Sequence, residues 1–248
     1  MQKRFGKTEL NNFFNEIGEN LSEKTTVYLL GGEAMCFRNQ KSTTKDLDLL
    51  FKDSKSYNKF IQNLENLNFK KQNLISRVYI NMEANSIWDH ISGFRLDLFV
   101  GSVCHKLFLS DSMIQRSKLL KQYGNLNVYI MSNEDIILLK AVTERIDDTA
   151  DIASITHSTE VNWEIVLEEC EVQSKNRFWY GELLNKFYEL KESFGINPQI
   201  IPKIEELYQN ALIKDKINEL KDKGYSKKQI KKELKDRRFT DSEIEGAF

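Results

Sequence analysis

The spacing of apolar positions divides this chain into a strand-bearing first half and a helical second half. Leu10, Phe13, Phe14, Ile17 and Leu21 recur at intervals of three and four, so residues 8–22 are predicted to form an amphipathic helix with Thr8 as its cap. Thr26-Val27-Tyr28-Leu29-Leu30 is β-branched and aromatic and is closed by Gly31-Gly32, the pattern of a buried strand. A short helix is expected over 33–39 and a second strand over 46–51, antiparallel or mixed with the first. Tyr57, Phe60, Ile61 and Leu64 mark another helix. Further strands are expected at 74–80, 87–91, 94–100 and 126–130.

From residue 133 the period becomes helical. Ser132-Asn133-Glu134-Asp135 is a cap followed by acids in the first turn, ahead of the apolar face Ile136, Ile137, Leu139 and Val142. Helical segments follow at 147–155, 162–173 and 176–194, with a break between Gly195 and Pro202. The tail carries Ile217-x-x-Leu220, Ile230-x-x-x-Leu234 and Ile244-x-x-Ala247, which predicts three short helices, two of them capped by Ser226 and Thr240. The fold class is therefore α+β: a mixed β-sheet flanked by helices, followed by an all-helical C-terminal region. The expected divisions are 1–158, a helical domain at 159–210, and a small basic three-helix tail at 211–248.

Composition narrows the function classes. No apolar run approaches the ~18 residues needed to cross a bilayer, and Met1–Gly6 has a basic flank with no apolar core behind it, so no signal peptide is expected. Cys36, Cys104 and Cys170 are odd in number and far apart, which fits reduced thiols and a cytoplasmic location. Cys104 adjoins His105, but no second pair stands at zinc spacing. The net charge of −1 conceals an asymmetry: residues 214–238 hold eleven Lys or Arg against five Asp or Glu. Such a segment fits a polyanionic partner or a solvated helical face, and both readings stay open.

The chemistry gathers in the first half. Residues i and i+2 of a strand share a face, so Asp46 and Asp48 project together. Two carboxylates this close repel, and a divalent cation between them relieves the repulsion; Mg²⁺ favours one or two protein carboxylates with phosphate oxygens and water. Gly31-Gly32, with thirteen residues between Gly32 and Asp46, lets backbone approach a ligand closely at a strand-to-helix turn. Phe94-Arg95-Leu96-Asp97-Leu98-Phe99-Val100 alternates, placing Arg95 and Asp97 on one side. Should this strand lie beside the Asp46 strand, Asp97 completes a three-carboxylate site able to hold metal and to accept a proton from an attacking hydroxyl.

Gly31-Gly32, Asp46-x-Asp48 and the later Asp97 together resemble the nucleotidyltransferases of the polymerase-β type. Arg38-x5-Thr44-x-Asp46-Leu47-Asp48-Leu49 is similar to the AbiEii-type group, toxins of abortive-infection systems, and to related minimal nucleotidyltransferases. Lys140-x4-Arg145-x2-Asp148-x2-Asp151-Ile152 is similar to their helical segment, in which a lysine helps to hold the triphosphate. The resemblance covers about residues 20–156. It implies the nucleotidyltransferase fold, dependence on Mg²⁺ or Mn²⁺, and transfer of a nucleoside monophosphate from an NTP to an acceptor hydroxyl. Asp46, Asp48 and Asp97 are then the metal-binding, catalytic carboxylates, and Gly31, Gly32, Arg38, Thr44, Lys45 and Lys140 the nucleotide-binding residues. The implied partners are the NTP, an acceptor such as the 3′ end of an RNA or tRNA, a protein or a small molecule, and a cognate antitoxin; no membrane is implied. Many members carry Ser directly after the glycines, and Glu33 stands there instead, an acid that repels phosphate if it points inward. A non-catalytic relative that binds a partner and an antibiotic-type small-molecule enzyme are the alternative readings. For Arg38, Lys45 and Lys140 the bland alternative is a solvated surface cation, for Arg145 and Asp148 a helical ion pair, and for Trp88 a place in the core.

Overall fold

A seven-stranded mixed sheet is assembled around the two strands that carry the carboxylates. The computed structural model describes residues 4–72, 84–103, 107–143, 145, 147–174 and 179–248. The chain divides into two compact units, Met1–Glu169 and Cys170–Phe248. The first unit runs α1 (Lys7–Asn20), β1 (Thr25–Leu29), α2 (Gly32–Phe37), β2 (Leu47–Phe51), α3 (Ser54–Ile61), β3 (Phe69–Lys71), β4 (Ser86–His90) and β5 (Arg95–Val100). It continues with β6 (Ser102–Val103), β7 (Leu107–Phe108), α4 (Asp111–Arg116), β8 (Lys118–Tyr123), β9 (Leu126–Ile130), α5 (Asn133–Ala141) and α6 (Asp148–Ser158). The division between the units falls within α7 (Trp163–Gln173).

The sheet order is β3-β4-β5-β2-β1-β9-β8, and β6 with β7 makes a separate two-stranded ladder. β2 runs antiparallel to β1 and parallel to β5; β1 runs parallel to β9. Every residue of β2 is buried, as expected for a central strand covered on both faces. The predicted strands at 26–30, 46–51, 87–91, 94–100 and 126–130 appear within a residue at each end, and 74–80 lies outside the described residues. β8 carries no sequence signal because it is an edge strand: of its six residues only Tyr123 is buried, so no alternation marks it. Its pairing with β9 across Gly124, which sits at φ +53°, makes it a strand.

Helix α1 begins one residue earlier than the pattern predicts, and Thr8 is not its cap. Gly6 is the N-cap, and its amide donates to the Glu9 carboxylate at 3.0 Å, the half of a capping box that needs no N-cap side chain. The opposite end of α1 is pressed onto the β8–β9 turn. A methyl group at Gly18 would stand 1.8 Å from the Tyr123 carbonyl oxygen, and the Asn125 amide donates to the Gly18 carbonyl at 2.9 Å. Alanine would ordinarily favour a helix interior by about 1 kcal/mol. Here the clash is with backbone, and overpacking of about 1–3 kcal/mol or more prevails. Gly18→Ala is therefore expected to lower the Tm by several degrees; an unchanged or raised Tm in calorimetry would contradict this close approach.

In the second unit, α8 (Trp179–Phe194), α9 (Ile201–Asp222), α10 (Lys227–Asp236) and α11 (Asp241–Ala247) follow in turn. Ile213, Ile217, Leu220, Ile230, Leu234 and Ile244 form one buried cluster, with Phe239 and Ala247 packed against it. Ser226 and Thr240 do cap α10 and α11, each within a reciprocal capping box with Gln229 and Glu243. The first tail helix is not short: no Gly or Pro lies between Lys203 and Lys223, so α9 runs unbroken for 22 residues.

Candidate active site

The parallel register of β2 and β5 sets Asp48 directly beside Asp97, on strands that lie about 4.8 Å apart. Asp46 immediately precedes β2 and is partly exposed, whereas Asp48 and Asp97 are 7% and 1% exposed. Burial drives the Asp48 carboxyl well above its ordinary value, and the charges of Asp46, Glu33 and Asp97 push it further, against the pull of Arg145. Burial likewise raises Asp97, to about 6, with Arg95 holding it back. Arg95, two residues earlier on the same side of β5, donates from Nε to Oδ1 at 2.8 Å and from Nη2 to Oδ2 at 3.3 Å.

The glycine turn is shaped by this cluster. A methyl group at Gly31 would stand 2.1 Å from Asp48 Oδ2 and 2.8 Å from Glu33 Oε2, so only glycine admits both acids. One at Gly32 would meet Thr44 Oγ1 at 2.8 Å; Thr44 itself donates to the Asp46 carbonyl and ties its backbone to Phe5. Glu33 points inward and is fully buried. Its Oε1 accepts the amides of Leu30 at 3.1 Å and Gly31 at 2.9 Å. Burial lifts its carboxyl to about 7, partly offset by the backbone amides around it. Glu33 thus satisfies the turn's own amides.

A second cluster adjoins the first. Gly31, Asp48, Lys140, Thr143, Arg145 and Asp148 line one small cavity of about 30 Å³, room for a water and not for a nucleotide. Lys140 is buried and donates to Asp148 at 3.0 Å and Asp151 at 2.7 Å. Burial alone would lower its pKa, but the two acids outweigh that and raise it. Lys41 reaches the same Asp151 at 2.8 Å. Arg145 is felt electrostatically by Asp48, Asp148, Asp46 and Asp97, so it faces the carboxylate cluster and not Asp148 alone.

The remaining expected residues stand apart from these contacts. Arg38 donates to the carbonyl of Met131, and its Nη1 is buried with no hydrogen-bond partner among the described residues. Lys45 is exposed, and Trp88 is core, its indole donating to Ser86. Cys36 and Cys170 are buried and form no disulfide among the described residues, while Cys104 and His105 lie outside those residues. Sequence reasoning did not single out Lys41, and its pairing with a residue 110 positions away left no local signal. Arg95 as a clamp on Asp97 was visible in the shared strand face.

The donor set suits a hard divalent cation. Asp48 Oδ1 and Glu33 Oε2 are buried with no hydrogen-bond partner among the described residues, and an orphaned buried carboxylate oxygen needs a cation or a proton. Among the described residues no three acids stand close enough to enclose an ion unaided. Mg²⁺ does not require that, because phosphate and water oxygens complete its shell. Asp46 and Asp48 would hold such an ion, with Asp97 contributing the lone pairs that Arg95 leaves.

The sequence profile of a family described as "Nucleotidyltransferase of unknown function (DUF6036)" matches residues 8–194. No curated protein matches the chain significantly. Among solved structures, the crystal structure of ANT(2")-Ia in complex with adenylyl-2"-tobramycin is similar at 16% identity and a TM-score of 0.43, over 64% of this chain and 92% of that one. No helix among the described residues is long and apolar enough to cross a membrane.

Proposed function

Since this chain belongs to the family of nucleotidyltransferases of unknown function (DUF6036), we propose that its first unit transfers a nucleoside monophosphate from an NTP to an acceptor hydroxyl, with Mg²⁺ or Mn²⁺ bound at Asp46, Asp48 and Asp97. The observation that carries this reading is the register of β2 with β5, which pairs two buried carboxylates side by side. Bound metal would supply the positive charge that offsets theirs and that of the departing pyrophosphate. Asp97, raised to only about 6, is largely ionised at neutral pH and suited to accept the proton of the attacking hydroxyl. The hydroxyl oxygen then bonds to the α-phosphorus as the bond to pyrophosphate breaks. Arg95 positions Asp97, and the missing side chain of Gly31 leaves the space that Asp48 needs. Arg145 and Lys140, which line the cavity beside Asp48, are the cations in reach of a triphosphate. The water-sized cavity means that nucleotide entry displaces side chains there.

The acceptor, in this reading, is an RNA or tRNA 3′ end or a protein, the chain acting in the cytoplasm as the toxin of a toxin–antitoxin pair, as its likeness to the AbiEii-type group suggests. One observation favours a non-catalytic, partner-binding role instead: Glu33 occupies the amides of Leu30 and Gly31. A single experiment separates the two. The protein is incubated with each labelled NTP, Mg²⁺ or Mn²⁺, and total cellular RNA and protein, and labelled products are resolved. Metal-dependent label on one species is expected. No label, together with NTP binding that is absent or indifferent to metal, would decide for the non-catalytic role.

A further inference from the structure

The lysines of α10 are segregated, not scattered. Ile230 and Leu234 define the buried side of α10. At 3.6 residues per turn, Lys228, Lys232 and Lys235 stand opposite it, with Lys227 and Lys231 on the flank between. The acids of that helix, Glu233 and Asp236, fall on the other flank. A face kept only for solubility intersperses its signs; this one separates them.

Ion pairs use part of the charge. Lys231 pairs with Glu245 and Lys235 with Asp241, while Lys216 and Lys223 share Glu219 and Arg237 takes Glu233. Lys221, Lys227, Lys228 and Lys232 are exposed and make no ion pair among the described residues. Phe248 joins the two helices into one patch: its ring centre lies 4.5 Å from Lys227 Nζ, 5.6 Å from Lys231 and 5.8 Å from Lys221. That ring is 36% exposed, and Tyr225, between α9 and α10, is 44% exposed.

We infer that this face of the Cys170–Phe248 unit binds single-stranded nucleic acid, the lysines contacting phosphates and the exposed rings of Phe248 and Tyr225 receiving unstacked bases. Lysines answer the uniform backbone charge, and exposed aromatic rings beside them answer a feature that a duplex conceals. The inference stands apart from the transfer chemistry, since it needs neither NTP nor metal.

The test is fluorescence anisotropy of the full chain with unstructured 30-nucleotide RNA and DNA, without NTP or divalent ions. About four lysine–phosphate contacts predict a slope of log K against log salt near −3. Lys228→Glu with Lys232→Glu is expected to weaken binding at least tenfold, with the helical circular dichroism unchanged because both side chains are exposed. Lys228→Arg with Lys232→Arg should bind like the parent, and Phe248→Ala should lose about tenfold. Absence of binding by the parent chain overturns the inference, as does binding indifferent to the charge reversal. Equal affinity for duplex and single strand overturns the stacking role. Capture by phosphatidylglycerol vesicles with no oligonucleotide binding would make the patch a lipid surface instead.

Discussion

Asp48→Asn is expected to abolish nucleotidyl transfer and, at the same time, to stabilise the metal-free protein. Activity should fall by roughly 10³-fold or more, the scale seen when one preorganised charge is removed from a reacting site. The stabilisation follows from burial. Asp48, Asp97 and Glu33 are all pushed above their ordinary values of 3.8 and 4.5. Between about pH 4 and pH 7 the folded chain therefore holds protons that the unfolded chain has released. The folded state binds more protons in that window, so stability declines as pH rises through it. Asparagine carries no charge, and its advantage is near nil at pH 4 and grows as pH rises, on the order of 0.5–2 kcal/mol. Thermal melts of both proteins across this range, with and without Mg²⁺ and NTP, provide the check. The parent should gain Tm from metal and nucleotide at pH 7, and the variant should not. A variant that melts lower than the parent at pH 7 would mean that Asp48 serves the fold and not a cation.

Lys140→Met should be among the most destabilising single changes in the first unit, by about 3–5 kcal/mol. Asp148 and Asp151 both rely on this buried ammonium, at 3.0 and 2.7 Å. Removing it leaves Asp148, 4% exposed, with the Thr143 hydroxyl and the nearby charge of Arg145. Asp151 keeps Lys41 and is partly exposed, so most of the loss falls on Asp148. The double change Lys140→Met with Asp148→Asn should recover more than half of the deficit, since the under-compensated buried charge and not the lost contact dominates. Denaturant titration of the two single variants and the double measures this directly. A small loss for Lys140→Met, paired with a large rise in the Km for NTP, would assign the lysine to the triphosphate alone.

Part of the candidate site's geometry was legible in the sequence. The alternation over 94–100 places Arg95 and Asp97 together, which follows from the two-residue period of a strand; the shared strand face expected of Asp46 and Asp48 does not appear, because β2 begins at Leu47 and Asp46 lies in the bend before it. The caps Ser132, Ser226 and Thr240 were equally legible, because each satisfies amides two or three residues away. Edge strand β8 was not, because solvent imposes no alternation on it. Glu33 shows the limit within the site. Its charge and position beside the glycines marked it as an obstacle to phosphate if it pointed inward, and only the structure places its carboxylate inward, on the amides of Leu30 and Gly31.

The sequence by itself determined the central strands, most of the helices and the shared strand face of Arg95 and Asp97, since those are short-range consequences of side-chain period and capping chemistry. Only the tertiary structure decided that β5 lies beside β2, so that Asp48 meets Asp97, and that Lys41 and Lys140 converge on Asp151 from α6. The physical reason is that strand order and buried ion pairing are chosen by how whole elements cover one another's apolar faces. Residues 49 or 110 positions apart carry no local trace of that choice.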